Sequence, residues 1–78
     1  MITKAMNVYD SSLVRESVYD YETKQLTIVF PSAMYHYHGV SVEDYNEFVL
    51  SDSQGKALNN IIKTKYEFTK IETEDVND

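Results

Sequence analysis

Two lysines and two asparagines in the C-terminal half of the chain recur at a spacing that could bind an anion. Lys56, Asn59, Asn60 and Lys63 lie at i, i+3, i+4 and i+7, so a regular α-helix would place them on one face. Lysine ammonium groups attract phosphates, and amide side chains both donate and accept hydrogen bonds. The pattern predicts a site for a small nucleotide-like ligand, although a solvated helix face carries the same residue types.

Three further side chains could stack on a nucleobase. Tyr35 and Tyr37 alternate on a predicted strand, and Arg15 is the only arginine of the chain. A half-covered ring offers base stacking worth about 1–3 kcal/mol, and a guanidinium can stack on a base or fork onto a phosphate. The alternatives are core packing for the two tyrosines and surface pairing with Glu16 or Asp20 for the arginine.

Groups that would support catalysis are missing from the sequence. The chain has no cysteine, no glycine-rich phosphate loop and no HExxH zinc pattern. His36 and His38 alternate on one predicted strand without a third metal ligand nearby, and Ser11-Ser12 is more typical of a turn than of a catalytic triad. We therefore expect a binding protein rather than an enzyme, with no catalytic residue, metal site or cofactor.

The charge balance limits the class of ligand. Thirteen acidic residues against 7 basic ones give a formal net charge of -6. This charge opposes long DNA or RNA, because phosphate contacts carry most of that affinity. Four of the 7 basic residues nevertheless fall between positions 56 and 70, namely Lys56, Lys63, Lys65 and Lys70. A small nucleotide held by this basic segment is compatible with the acidic chain.

Length and composition favour one small domain that assembles with itself. A chain of 78 residues buries only about 60–65% of its unfolded surface, and without cysteine it has no disulfide to stabilise it. Its seven tyrosines suit interfaces, so we expect a homo-oligomer, either a dimer or a tetramer. No apolar window approaches the ~20 residues of a membrane span, and no signal-like run begins the chain. We therefore expect a cytoplasmic protein with no membrane partner.

The hydrophobic pattern predicts an α+β fold, in which a three-stranded antiparallel meander packs against two C-terminal helices. The predicted strands are 12–19, 25–30 and 34–39, and the predicted helices are 42–50 and 52–64. Leu26–Phe30 is the clearest strand because it alternates and is rich in β-branched residues. Pro31 ends that strand because it lacks an N–H. Ser41 is the predicted N-cap of the first helix, with Asp44 three residues on.

Several segments outside these elements also carry signals. Ala5–Tyr9 and Tyr66–Ile71 could each add a strand. Residues 1–71 are expected to form a single domain, followed at 72–78 by an acidic tail that is expected to be disordered. Gly55, in the first turn of the second helix, would let backbone N–H groups approach an anion or a neighbouring chain.

An ordered series of short motifs over roughly residues 10–71 resembles the KTSC domain. The motifs are Ser11-Ser12, Val18-Tyr19-Asp20, Leu26-x-Ile28-x-Phe30, Tyr35-x-Tyr37-x-x-Val40, Tyr45-x-x-Phe48, Ser53-x-Gly55-Lys56, Asn59, Ile62-Lys63 and Lys65-Tyr66. Two departures concern turn and core packing more than the site. Pro31-Ser32-Ala33 stands where members usually carry glycine in the turn, and Ala57-Leu58 replaces the usual aromatic pair.

The resemblance implies a function in phage anti-defence. Free-standing members occur in phage genomes, and some are similar to anti-CBASS sponges, which are oligomers that sequester the cyclic dinucleotides of bacterial anti-phage signalling. A member of this kind would bind signals such as cyclic GMP-AMP in the host cytoplasm without degrading them. The candidate ligand-binding residues are then Lys56, Asn59, Asn60, Lys63, Arg15, Tyr35, Tyr37 and Ser12. Residue chemistry assigns phosphates to the lysines, base edges or ribose hydroxyls to the asparagines, and stacking to a tyrosine or the arginine.

Two other classes of function stay open. The family is named after a segment at the C-terminus of some lysyl-tRNA synthetases, which implies an RNA- or tRNA-associated accessory module. RNA binding with a steep salt dependence would support that class. A ligand-free protein-interaction domain is the other alternative. The sequence does not indicate which cyclic nucleotide would be preferred, and a thermal-shift panel of cyclic nucleotides would separate the three classes.

Overall fold

Five β-strands and two helices make up residues 3–72, which are the residues described by a computed structural model. The strands are β1 (Lys4–Val8), β2 (Glu16–Asp20), β3 (Gln25–Val29), β4 (Ala33–Tyr37) and β5 (Phe68–Glu72). The helices α1 (Val42–Leu50) and α2 (Gln54–Ala57) lie between β4 and β5, and α2 continues into a π-helical turn (Leu58–Ile62). The predicted α+β class is confirmed.

The strands form one antiparallel sheet in the order β1-β2-β3-β4-β5. The predicted meander corresponds to β2, β3 and β4, but the prediction of three strands was wrong in number. The two added strands are the edges: Ala5 of β1 lies opposite Tyr19, and Lys70 of β5 lies opposite Tyr35. Each edge strand pairs with one neighbour only, and β5 pairs with a strand far away in the chain, so the local pattern indicated only that Ala5–Tyr9 and Tyr66–Ile71 could be strands.

Alternating burial along the central strands places the core on one face of the sheet. Ser17 and Tyr19 of β2 are buried, as are Leu26 and Ile28 of β3, while their neighbours along each strand are partly exposed. Successive side chains of a strand point to opposite faces, so these four share the face that the helices cover. The core cluster consists of Val14, Tyr19, Leu26, Ile28, Tyr37, Val40, Tyr45, Phe48, Ala57, Leu58 and Ile62.

Helix α1 begins and ends where the sequence predicts. The Ser41 side-chain oxygen accepts a 3.1 Å hydrogen bond from the backbone N–H of Asp44, which is the predicted N-cap. Tyr45 and Phe48 are buried, and the Tyr45 ring stacks on Tyr19 of β2 with ring centroids 4.3 Å apart and planes 8° from parallel. This contact attaches α1 to β2, the strand next to the edge strand β1.

The second helix differs from the regular helix predicted over 52–64. After the single turn of α2, the backbone N–H of Lys63 donates to the carbonyl of Leu58 at 2.8 Å, which is the i→i+5 bond of a π turn. A π turn holds more residues than an α turn, so side chains after it are rotated relative to those before it. Lys56 and Lys63 therefore do not keep the shared face that regular α-helical spacing gives them.

The C-terminal end of the described region lies within the sheet. Glu72, placed in the tail by the sequence, is the last residue of β5. The rest of the predicted tail, residues 73–78, lies outside the described residues. Among the helices of residues 3–72, none has the length and apolar character needed to cross a membrane.

Candidate functional site

The predicted basic face is divided between two pockets. Lys56 and Asn60 line a groove of about 460 Å³, here called the helix groove, whereas Lys63 lines a pocket of about 340 Å³, here called the tyrosine–lysine pocket. Asn59 is exposed and lines neither of them. The helix groove is lined by Glu47, Leu50, Ser51, Lys56, Ala57, Asn60 and Ile61. The tyrosine–lysine pocket is lined by Leu13, Phe30, Pro31, Ser32, Ala33, Tyr35, Lys63 and Lys70.

The tyrosine–lysine pocket joins an aromatic ring to two cations. Tyr35 on β4 is partly buried and lies opposite Lys70 on β5, whose Nζ is 5.9 Å from the centre of the tyrosine ring. That distance is within the range of a cation–π interaction. Lys63 adds a second ammonium group from the end of the π turn. The pocket can therefore offer stacking and positive charge to the same ligand.

Other aromatic rings hold Tyr35 in place. Phe30 meets it edge-on, with ring centroids 5.0 Å apart and planes at 76°. Phe68 stacks against it at 4.9 Å and 28°. Aromatic pairs of these geometries contribute about 0.5–1.5 kcal/mol each beyond the area they bury. The ring is thus supported by the turn between β3 and β4 and by β5, which limits its freedom before any ligand arrives.

The apolar wall of this pocket depends on a turn and a glycine. The side-chain oxygen of Ser11 accepts hydrogen bonds from the backbone N–H groups of Leu13 and Val14, which fixes the turn before β2. A Cβ on Gly55 would lie 3.3 Å from the Leu13 Cδ2 atom. The glycine expected to admit an anion or a neighbouring chain therefore lies against a leucine of the same chain.

Tyr37 is a core residue. Its side chain is fully buried, so its ring presents no open face for stacking. Burial, followed by the influence of nearby Tyr35, raises the pKa of Tyr37 to about 12. Its hydroxyl has no hydrogen-bond partner among the described residues. Of the two tyrosines proposed to stack on a base, Tyr35 lines the tyrosine–lysine pocket, whereas Tyr37 lines neither of the two pockets described above.

The remaining predicted site residues lie outside both pockets. Ser12 is exposed in the turn before β2, and Arg15 is exposed immediately before that strand rather than within it. The backbone of Arg15 continues the sheet, because its N–H donates to Val29 and its carbonyl accepts from Tyr9. Neither residue lines the helix groove or the tyrosine–lysine pocket.

The two histidines form hydrogen bonds across the sheet. His36 Nδ1 lies 2.8 Å from the side-chain oxygen of Thr27, and His38 Nε2 lies 2.9 Å from that of Thr69. Within residues 3–72, no group of three or more histidine, cysteine or acidic side chains is arranged to hold a metal.

Sequence reasoning missed Lys70, Phe30 and Leu13 as parts of the pocket. Lys70 falls in Tyr66–Ile71, a segment that the sequence left open between a last strand and packing across the sheet, so its pairing with Tyr35 could not be derived. A signal was present in the concentration of lysines between positions 56 and 70. That concentration pointed to the correct region without identifying the partner strand.

Comparison with known proteins gives both a matching family and a similar solved structure. Residues 10–66 match the family model of the KTSC domain, so the chain belongs to the KTSC family. Its structure is similar to the crystal structure of a KTSC domain protein from Yersinia pestis, with a TM-score of 0.80 and 28% identity. The similarity covers 87% of this chain and 97% of that chain. No match was found among curated proteins.

Proposed function

We propose that this protein binds cyclic dinucleotides and sequesters them without turnover. The observation that carries the proposal is the placing of Tyr35, Lys63 and Lys70 around one pocket. A cyclic dinucleotide carries two bases and two phosphates, so it needs both a stacking surface and cations. Stacking on Tyr35 holds a base, and the two lysines neutralise a phosphate.

The net charge of the chain favours a compact ligand over a polymer. At a formal charge of -6, the protein repels a long phosphate backbone along most of its surface. The two lysines of the tyrosine–lysine pocket create a local positive region that a small anion can reach. If the chain is phage-encoded, such binding would serve anti-defence, because a stoichiometric trap lowers the free concentration of an immune signal by mass action.

Capture followed by recovery tests the proposal. Cyclic GMP-AMP and related cyclic nucleotides are incubated with excess protein, the free nucleotide is measured, and the protein is then denatured by heat. Sequestration removes the nucleotide from solution and returns it intact, whereas a nuclease would return linear products. Capture of none of the cyclic nucleotides would reject the proposal, and RNA binding that weakens steeply with salt would favour the tRNA-associated alternative.

A charge-reversal pair locates the site. Lys63→Glu should abolish capture while preserving the fold, because exposed substitutions usually change the free energy of unfolding by under ~0.5 kcal/mol. Lys24→Glu serves as the matched control, since Lys24 is exposed in the turn between β2 and β3. Wild-type capture by the Lys63 variant would show that the ligand binds elsewhere.

A further inference from the structure

Leu50 is an apolar side chain in an unusually exposed position. It is 81% exposed at the end of α1, more than any other large apolar residue described between positions 3 and 72. The helix needs no leucine there for its own packing, because Tyr45 and Phe48 already attach it to the core. A contiguous apolar surface, rather than one exposed leucine, marks a contact with another chain, so the surface beside Leu50 decides what this residue can do.

The helix groove supplies that concave surface. Leu50 lines it together with Ala57 and Ile61. Glu47 and Lys56 lie on the same groove, and neither forms an ion pair within 4.0 Å among the described residues. The surface therefore combines an apolar centre with one acid and one base.

We propose that the helix groove is a twofold contact between two copies of this chain. A twofold contact uses the same patch on both partners, so the patch must be complementary to itself. In this arrangement Leu50 of each copy packs against Ala57 and Ile61 of the other. Glu47 of each copy then faces Lys56 of the other, giving two symmetric ion pairs.

Charge complementarity is what favours a second copy as the occupant. Two copies that each carry a formal charge of -6 repel one another over most of their surfaces. The helix groove is locally balanced, because Glu47 is matched by Lys56. The contact uses no residue of the tyrosine–lysine pocket, so it stands independently of the proposed function.

Sedimentation and light scattering of the intact protein at micromolar concentration test the contact. The wild type should be a dimer or a larger assembly built from that dimer, and Leu50→Glu should weaken the dimer at least about a hundredfold. Glu47→Lys and Lys56→Glu should each weaken it about tenfold, because each variant places like charges opposite one another twice. Thermal unfolding and far-UV circular dichroism show that the variants remain folded.

Mixing the two charge variants gives the sharpest result. Glu47→Lys and Lys56→Glu should form a heterodimer of about wild-type affinity, because both ion pairs are restored across a twofold contact. The double variant carrying both changes should also dimerise with itself. Folded single variants that fail to associate when mixed would overturn the proposal.

Met6→Glu is the matched control. Met6 is 63% exposed on β1, opposite Val18, on the sheet face away from the core, and its replacement should leave the dimer unchanged. Dissociation of this variant while Leu50→Glu remains dimeric would place the second copy on the sheet and reject the helix groove. A monomeric wild type would reject the contact altogether.

Discussion

The hydroxyl of Tyr66 donates a 2.6 Å hydrogen bond to Asp44 Oδ2, and Lys65 Nζ lies 3.1 Å from the same oxygen. The Tyr66 oxygen also accepts a 3.2 Å hydrogen bond from the backbone N–H of Ser41. These bonds join the first turn of α1 to the segment that follows the π turn. They hold the end of the π turn, where Lys63 lies, against the start of α1.

Removing the Tyr66 hydroxyl should destabilise the fold. Tyr66→Phe keeps the ring and deletes the hydrogen bonds to Asp44 and Ser41, so we expect a loss of about 1 kcal/mol in the free energy of unfolding. Urea unfolding with a shared m-value measures the change. Lys65→Ala, which removes only the exposed partner, should change stability little. An unchanged midpoint for Tyr66→Phe would mean that water replaces the hydroxyl at no net cost.

Acid should remove the contribution of Asp44 to stability. The hydrogen bond from Tyr66, followed by the hydrogen bond and charge of Lys65, lowers the pKa of Asp44 below its ordinary value of 3.8. The contribution is therefore complete above about pH 4 and is lost as the pH falls through the lowered pKa. Asp44→Asn should be less stable than the wild type at neutral pH and should approach it in strong acid.

A second aspartate also has a lowered pKa. Hydrogen bonds from the backbone N–H groups of Glu22 and Thr23 lower the pKa of Asp20. The difference in the free energy of unfolding between the wild type and Asp44→Asn isolates the Asp44 effect, because Asp20 is present in both proteins. A difference that stays constant from pH 7 to pH 2 would contradict the assignment.

Ligand capture should depend on the ring of Tyr35. Tyr35→Leu removes the stacking surface, worth about 1–3 kcal/mol, and should therefore weaken binding of a captured cyclic nucleotide by about 5- to 150-fold. Isothermal titration calorimetry measures the change. Tyr21→Leu removes an exposed ring that does not line the tyrosine–lysine pocket, and it should leave the affinity unchanged. Equal losses in both variants would indicate a general effect on the fold.

Gly55→Ala should stabilise the protein modestly. Alanine is favoured over glycine within a helix by about 1 kcal/mol, whereas the new Cβ would lie 3.3 Å from Leu13 Cδ2. Leu13 is 45% exposed, so its side chain can move away, and we expect a gain of about 0.5 kcal/mol. Thermal unfolding measures it. A loss above about 1 kcal/mol would show that the turn bearing Leu13 is rigid.

The middle of the fold was accessible to sequence reasoning because its signals are local. The alternation of Leu26–Phe30 indicates a strand, Pro31 ends that strand, and Ser41 caps the helix that follows. Each of these signals acts within a few residues. Strand β5 was left out of the predicted sheet because Lys70 meets Tyr35 only through pairing over a long separation. Strand β1 pairs with β2, its neighbour along the chain, but the short pattern of Ala5–Tyr9 indicated only a possible strand. The π turn was missed because helical spacing assumes i→i+4 bonds throughout.

The candidate site, like the fold, was only partly predictable from the sequence. Lys63 and Tyr35 were chosen from residue chemistry, and the fold brings them to one pocket. Lys56 was grouped with Lys63 by spacing alone. The π turn lies between them, and the two lysines line different pockets. Spacing predicts a shared face only where the hydrogen-bond pattern of the helix is regular.

The order of the sheet sets an order of folding. Strands β1 to β4 pair with their neighbours along the chain. Pairing of β5 with β4, in contrast, closes a long loop that contains the whole helical segment. Loop closure opposes that last step, so β5 should dock last and detach first in native-state hydrogen exchange. Because Lys70 lies on β5, detachment of this one edge strand would dismantle the tyrosine–lysine pocket and free its occupant without unfolding the domain.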